Sequence, residues 1–255
     1  MQAVSQAFLL TMGAGLATAV GSLTILFSKK ENKRFLAFSL GVAAGVMIFV
    51  SIGDLLPEAK KYLAVSLPKW QANFMALCFL GIGIFCAFGI DRLLPHFQKI
   101  TGGARSNSLA RVGMVTAVAV TLHNLPEGMA TFLAGYTSLQ IGLPVAVSIA
   151  LHNIPEGIAV AAPIYYGTGK RAKAFVLSVL SGLSEPLGAV LAFTFLRPFL
   201  TSATLGILFA WVSGIMLYLS FAELLPAAEE SKHTGFAVLG IFGGISFMQL
   251  ALIWF

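Results

Sequence analysis

The chain has 255 residues, 58% of them hydrophobic and only 10% charged, with a mean hydropathy of +0.89. A soluble domain carries about 25% charged residues, so this composition excludes one and points to a polytopic helical membrane protein. The net charge of +6 is read as loop lysines and arginines that set membrane orientation, not as a nucleic-acid surface.

Apolar runs long enough to cross a bilayer predict eight spans: Ser5–Phe27, Arg34–Leu56, Ala72–Leu94, Val112–Ala134, Ile141–Ile164, Ala172–Leu196, Ala203–Leu225 and Gly235–Phe255. They form one transmembrane domain over residues 1–255. The start, MQAVSQAFLL, lacks a basic region, so the first span is expected to be retained rather than cleaved. Placing the N-terminus outside puts twelve basic residues in the inner loops: Lys29, Lys30, Lys33 and Arg34; Arg92, Lys99, Arg105 and Arg111; Lys170, Arg171 and Lys173; and Lys232. The outer loops then hold four, Lys60, Lys61, Lys69 and Arg197, and this asymmetry predicts both termini outside the cytoplasm. The longest loop is expected from Pro95 to Arg111. Cys78 and Cys86 both fall within the third span and read as packing residues.

The second and seventh spans repeat each other. Gly45–Ala59 reads GVMIFVSIGDLLPEA and Gly214–Ala228 reads GIMLYLSFAELLPAA, with seven identical positions. The predicted topology runs these spans in opposite directions, the mark of an inverted repeat. The fold expected is therefore all-α: eight transmembrane helices, with spans 1–3 related to 6–8 around a central antiparallel pair, spans 4 and 5. Asp54 is placed near the outer face and Glu223 near the inner face, each one turn before a helix-ending proline. They are expected to act as acids at the two mouths of a pathway.

The central pair carries a doubled motif. Thr121–Thr131 reads TLHNLPEGMAT and Ala150–Val160 reads ALHNIPEGIAV. Residues four apart share a helix face, so His123 lies over Glu127 and His152 over Glu156. The neighbouring Asn124 and Asn153 are rotated to an adjacent face. The pairs His123–Glu156 and Glu127–His152 have the same sequence midpoint. An antiparallel hairpin turning within Gly135–Gly142 would bring all four to one depth.

A charge at the bilayer centre costs about 2.5–3.5 kcal/mol on insertion scales. Glu127, Glu156 and Glu185 are predicted near mid-membrane, with no Lys or Arg at that depth, so they need protons, water or a metal cation. A structural role as protonated, hydrogen-bonded acids is the competing reading. Pro126, Pro155 and Pro186 adjoin the three glutamates and free the carbonyls of Leu122, Leu151 and Gly182. Backbone opened at that depth is tolerated where it lines a polar cavity. Imidazole with carboxylate suits zinc, and also iron, manganese or cobalt. His96 and His233, in loops, carry only a weak signal.

The HNxPEG pair on consecutive spans, the eight-span layout and the GLSEP on the sixth span resemble the ZIP family of divalent-metal transporters, particularly its bacterial zinc-uptake branch in the inner membrane. The resemblance implies a two-metal site on spans four, five and six. One position would take His123, Glu127, His152 and Glu156; the other would take Asn124, Glu127, Asn153, Glu156 and Glu185, with the first two glutamates bridging. Some members have an acid where this chain has Asn153, so the second position is less anionic here. With only His96 in the segment after span three, the His-rich loop of eukaryotic members is missing. The resemblance further implies that spans 1, 4, 5 and 6 move against spans 2, 3, 7 and 8.

The expected function is import of Zn²⁺, with Fe²⁺, Mn²⁺, Co²⁺ and Cd²⁺ as further candidate cargo, by a carrier and not an enzyme. No cofactor is expected. The expected partners are the metal ions and the lipid bilayer, not nucleic acid, with a homodimer left open. An intramembrane zinc-dependent hydrolase is the alternative from another class, but HExxH is absent. A selective channel with the same ligands is the third.

Overall fold

The computed structural model describes residues 2–27, 32–100, 108–196 and 201–254. Eleven α-helices are described: α1 (Gln2–Phe27), α2 (Lys33–Phe49), α3 (Leu56–Ala64), α4 (Lys69–Ile100), α5 (Ser108–Thr137), α6 (Leu139–Thr168), α7 (Arg171–Gly182), α8 (Ser184–Leu191), α9 (Ser202–Tyr218), α10 (Leu225–Glu230) and α11 (Thr234–Trp254). Several of these run end to end, so the eight expected spans are recovered as α1, α2–α3, α4, α5, α6, α7–α8, α9–α10 and α11. Seven of the eight are long and apolar enough to cross a membrane. The other, α5, is 30 residues long and carries the first half of the doubled motif.

Local chemistry explains most of the boundaries. Asn32 caps α2 by accepting the Phe35 N–H at 3.1 Å, and Thr201 caps α9 by accepting that of Thr204 at 3.2 Å. Gly169 ends α6 with φ +70°, a conformation that glycine adopts without strain. The long loop expected over Pro95–Arg111 is much shorter, because α4 continues to Ile100 and α5 begins at Ser108. Lys29, Lys30, Arg105 and Arg197, and the side chains of His96 and Lys99, lie outside the described residues.

The two copies of the second repeat share an unusual backbone. A π-helical turn spans Val50–Leu55 in one and Leu219–Leu224 in the other, the same six positions of the repeat. Proline supplies the reason. Pro57 and Pro226 have no N–H to give to the residue four back, and each ring crowds that residue's carbonyl. In both copies the residue before the proline reaches further, Leu56 to the Ser51 carbonyl and Leu225 to the Ser220 carbonyl. The prolines therefore do not end the helices, as the sequence suggested. They open a wider turn and start α3 and α10. Asp54 and Glu223 both sit in these turns, and π-turns inside α-helices are frequent at functional positions.

Most of the packing falls within two sets, α1, α5, α6, α7 and α8 in one and α2, α3, α4, α9, α10 and α11 in the other, and the sets meet chiefly where α2 packs on α6 and α9 on α5. Glycines set the closest approaches. A Cβ at Gly21 would overlap the Ile154 carbonyl, one at Gly157 that of Thr18, and one at Gly188 that of Leu125, all within the first set. Gly41 meets Ala237, Gly45 meets Ile241 and Gly83 meets Trp211 within the second. Small residues allow transmembrane backbones to touch and so join helices firmly. For each described glycine with neighbours at its Cβ position, the nearest atoms belong to its own set.

Candidate metal centre

The α5–α6 hairpin turns at Ser138, where Gly135 and Gly142 press together backbone to backbone. That turn fixes the register. The two helices remain continuous through Pro126 and Pro155 and present their motifs to each other. His123 Nε2 lies 3.2 Å from Glu156 Oε2, and His152 Nε2 lies 3.4 Å from Glu127 Oε2. The four residues face one another in the cross-helix pairs that the common midpoint implies.

The third acid arrives through a break. The sixth span interrupts at Leu183, so Glu185 stands in the first turn of α8. Gly128 of α5 seats directly on the Glu185 backbone and leaves no room for a side chain there. Glu185 accepts a hydrogen bond from the Asn153 amide. Asn153 also donates to the Ala14 carbonyl at 2.8 Å, and Asn124 donates to the Ser181 carbonyl at 3.2 Å. Both asparagines therefore anchor their NH₂ groups and keep their oxygens free.

All seven side chains are buried, at no more than 3% exposure. Burial ordinarily demands full hydrogen bonding, because an unpaired buried group costs about 1–3 kcal/mol. Yet His123 Nδ1, Asn124 Oδ1, Glu127 Oε1, Asn153 Oδ1, Glu156 Oε1 and Glu185 Oε2 have no hydrogen-bond partner. Six acceptor-capable atoms are thus left over on seven clustered residues, although among the described residues no three His, Cys, Asp or Glu side chains stand close enough together to hold one metal ion as they are.

A cavity of about 520 Å³ leads to this cluster from the hairpin end of the bundle. Its lining runs from Thr137 and Pro144 at that end to Glu127 and His152. Of the seven residues these two alone line it, so the Glu127–His152 pair is the one reached first. Asp54 lines the same cavity, and Glu58 does so one turn on. Sequence reading missed Glu58, although its i, i+4 spacing from Asp54 was a usable signal. Glu58 also pairs with Lys61 on α3.

Glu223 does not line this cavity. It is buried and held by Arg111, with both guanidinium–carboxylate contacts at 3.5 Å. In sequence Arg111 reads only as a loop charge. Its engagement with Asp91 of α4 and with Glu223 was not legible, since the three residues are distant in sequence. His233 lies near the start of α11, edge-on to Phe236, away from the cluster.

Comparison with known proteins gives a consistent result. The family model "ZIP Zinc transporter" matches residues 101–251. A protein named zinc transporter ZupT from Chlorobium luteolum is 47% identical, covering 97% of this chain and 97% of its own length. One of the same name from Lysinibacillus sphaericus is 45% identical over 97% of this chain and 96% of its own. Another from Streptococcus mutans is 43% identical over 98% and 97%.

Proposed function

This chain belongs to the ZIP family of zinc transporters, and from that premise we propose that it imports zinc through the His–Asn–Glu cluster between α5, α6 and α8 by alternating access. Fe²⁺, Mn²⁺, Co²⁺ and Cd²⁺ are secondary candidates as cargo. The observation that carries the reading is the set of six unpartnered oxygen and nitrogen atoms at the cluster. Imidazole, carboxylate and amide oxygen suit zinc without the thiolates that would hold it too firmly to release. His123, Glu127, His152 and Glu156 form one metal position in this reading. Asn124, Asn153 and Glu185 complete a second, with Glu127 and Glu156 shared.

Alternating access is supported by the two helix sets. Glycine contacts bind helices within each set, so the boundary between sets is where sliding is cheapest. The cavity reaching Glu127 and His152 from the hairpin end corresponds to one of the two states. The matching π-turns support the inverted repeat, with Asp54 and Glu223 at equivalent places. Uptake by purified protein in liposomes, measured against concentration for several divalent ions and with an imposed proton gradient, tests the reading. Saturable flux is expected; flux linear in concentration favours a channel, and release of a cleaved product favours the hydrolase.

Two results are expected around this reading. Asp54 shares the cavity with the cluster but does not bond to it, so its field should concentrate cations there. Such an effect weakens as salt screens it. Asp54→Asn should raise KM for external zinc several-fold at low ionic strength, spare the maximal rate, and lose most of its defect at high salt. Loss of transport at every salt level would make Asp54 a ligand instead. The second concerns topology. In a background lacking Cys78 and Cys86, Lys69→Cys should react with an impermeant thiol reagent added outside, whereas Lys170→Cys should not. The opposite pattern refutes an N-terminus outside.

A further inference from the structure

Away from the metal cluster, Arg111 joins the two helix sets. It stands near the start of α5, in the first set, at the end of the bundle opposite the α5–α6 turn. Its guanidinium is bonded to Asp91 of α4 and faces both oxygens of Glu223 in the second π-turn, each at 3.5 Å. Asp91 and Glu223 belong to the second set. Tyr218 at the end of α9 donates its hydroxyl to the other Asp91 oxygen at 3.1 Å, which fixes that carboxylate from behind. Exposure falls from 36% for the Arg111 side chain to 15% for Asp91 and 2% for Glu223, so the fork points inward.

This arrangement differs from the contacts inside each set. Inside each set the helices are held by backbone approaches at glycine and by hydrogen bonds such as Asn124 to the Ser181 carbonyl, Ser213 to the Ser51 carbonyl and Tyr218 to Asp91, which a sliding set would carry with it. The Arg111 fork instead spans the boundary, so any relative sliding must stretch or break it. A guanidinium between two carboxylates suits such a role. Its Nη1 reaches both carboxylates and its Nη2 the second oxygen of Glu223, and removing it leaves two acids facing each other without their cation.

We propose that the Arg111–Asp91–Glu223 triad is a latch that closes the end of the pathway opposite the cavity, stabilising the state in which Glu127 and His152 are reached from the hairpin end. This rests on the two-set, alternating-access reading. Opening the far end requires Arg111 to leave its carboxylates. The latch thereby prevents a leak while the cavity is accessible. A contact made in one state and absent from the other shifts the balance between them by the whole of its interaction energy. Removing it should depopulate the cavity-accessible state.

The test places a reporter in the cavity, which Ser148 of α6 lines. Ser148→Cys, with Cys78 and Cys86 replaced by serine, is labelled by a maleimide in purified, detergent-solubilised protein. Reagent then reaches both ends, so the result does not depend on membrane orientation. Arg111→Gln is expected to slow labelling at least threefold, and Arg111→Lys, which keeps a cation, is expected to restore most of the rate. Asp91→Asn, which keeps the shape of its carboxylate, should act in the same direction and serves if Arg111→Gln does not fold. Unchanged or faster labelling in the folded Arg111→Gln and Asp91→Asn proteins overturns the latch. Saturating zinc added to the protein with Arg111 intact separates the two readings. If zinc leaves Ser148→Cys labelling unaltered, alternating access itself fails and the latch with it. If zinc alters labelling but the substitutions do not, the latch alone fails.

Discussion

Zinc uptake is expected to fall to background in His152→Ala and in Glu156→Ala, with each protein in the membrane at near-normal amount. The two substitutions interrogate both halves of the cluster, because His152 pairs with Glu127 and Glu156 pairs with His123. Each removes a proposed ligand and also leaves the opposite partner buried without its hydrogen bond, at a cost of about 1–3 kcal/mol. That cost bears on stability. It is offset in Glu156→Ala by taking an acid out of mid-membrane, where a charge costs about 2.5–3.5 kcal/mol. Stability should therefore change little in Glu156→Ala and fall by about that cost in His152→Ala, while metal binding is lost in both. Initial uptake rates per unit of membrane protein decide the matter, and near-normal uptake in both variants would remove these residues from the site.

The geometry at the centre of the candidate site was legible. Four-residue spacing gives a shared helix face, and two copies with a common midpoint give the register of a hairpin. His123, Glu127, His152 and Glu156 could thus be brought together from local periodicity alone. Glu185 was harder. Its depth and neighbouring proline could be read, but not the contact that seats it, which depends on Gly128 of a different helix. The roles of Asn124 and Asn153 were likewise only half visible. Their position beside the histidines is a matter of sequence, whereas their anchoring to the carbonyls of Ser181 and Ala14 depends on how α5 and α6 pack on α7 and α1.

Other features were read in the wrong sense or not at all. The LLP segments look like helix ends because proline ordinarily stops a helix, but here a single π-turn absorbs each proline and the chain stays helical. Asp54 and Glu223 match in sequence and in local backbone yet have different company: one lines a cavity and the other faces an arginine. A repeat transmits local structure, and each copy then meets different neighbours. Arg111, counted among the loop charges, is part of a tertiary ion-pair cluster that no spacing rule could have revealed.

Gly128→Ala is expected to abolish most zinc uptake, by tenfold or more, through a single added methyl group. Gly128 carries no chemistry. Its Cα instead lets α5 and α8 approach so closely that a Cβ would come within 2.6 Å of the Glu185 Cα and carbonyl carbon, with its carbonyl oxygen closer still. Real Cβ atoms do not tolerate such a separation, and the obstacle is backbone, which cannot rotate out of the way. Overpacking of this kind typically costs about 1–3 kcal/mol and is relieved by backbone shifts. The element that would shift is the short helix α8, which follows the break at Leu183 and carries Glu185 in its first turn. Displacing it draws Glu185 away from Asn153 and from the glutamates of the hairpin. Gly81→Ala is the control, since a Cβ there meets nothing within 4 Å and the residue lies on α4, away from the cluster. The expected pattern is weakened zinc binding by equilibrium dialysis and lost uptake for Gly128→Ala, against unaltered behaviour for Gly81→Ala. Loss of membrane protein in proportion to uptake would reduce the effect to folding alone. Normal binding and normal uptake in Gly128→Ala would show that Glu185 does not need this seat, and would take the α8 acid out of the proposed site.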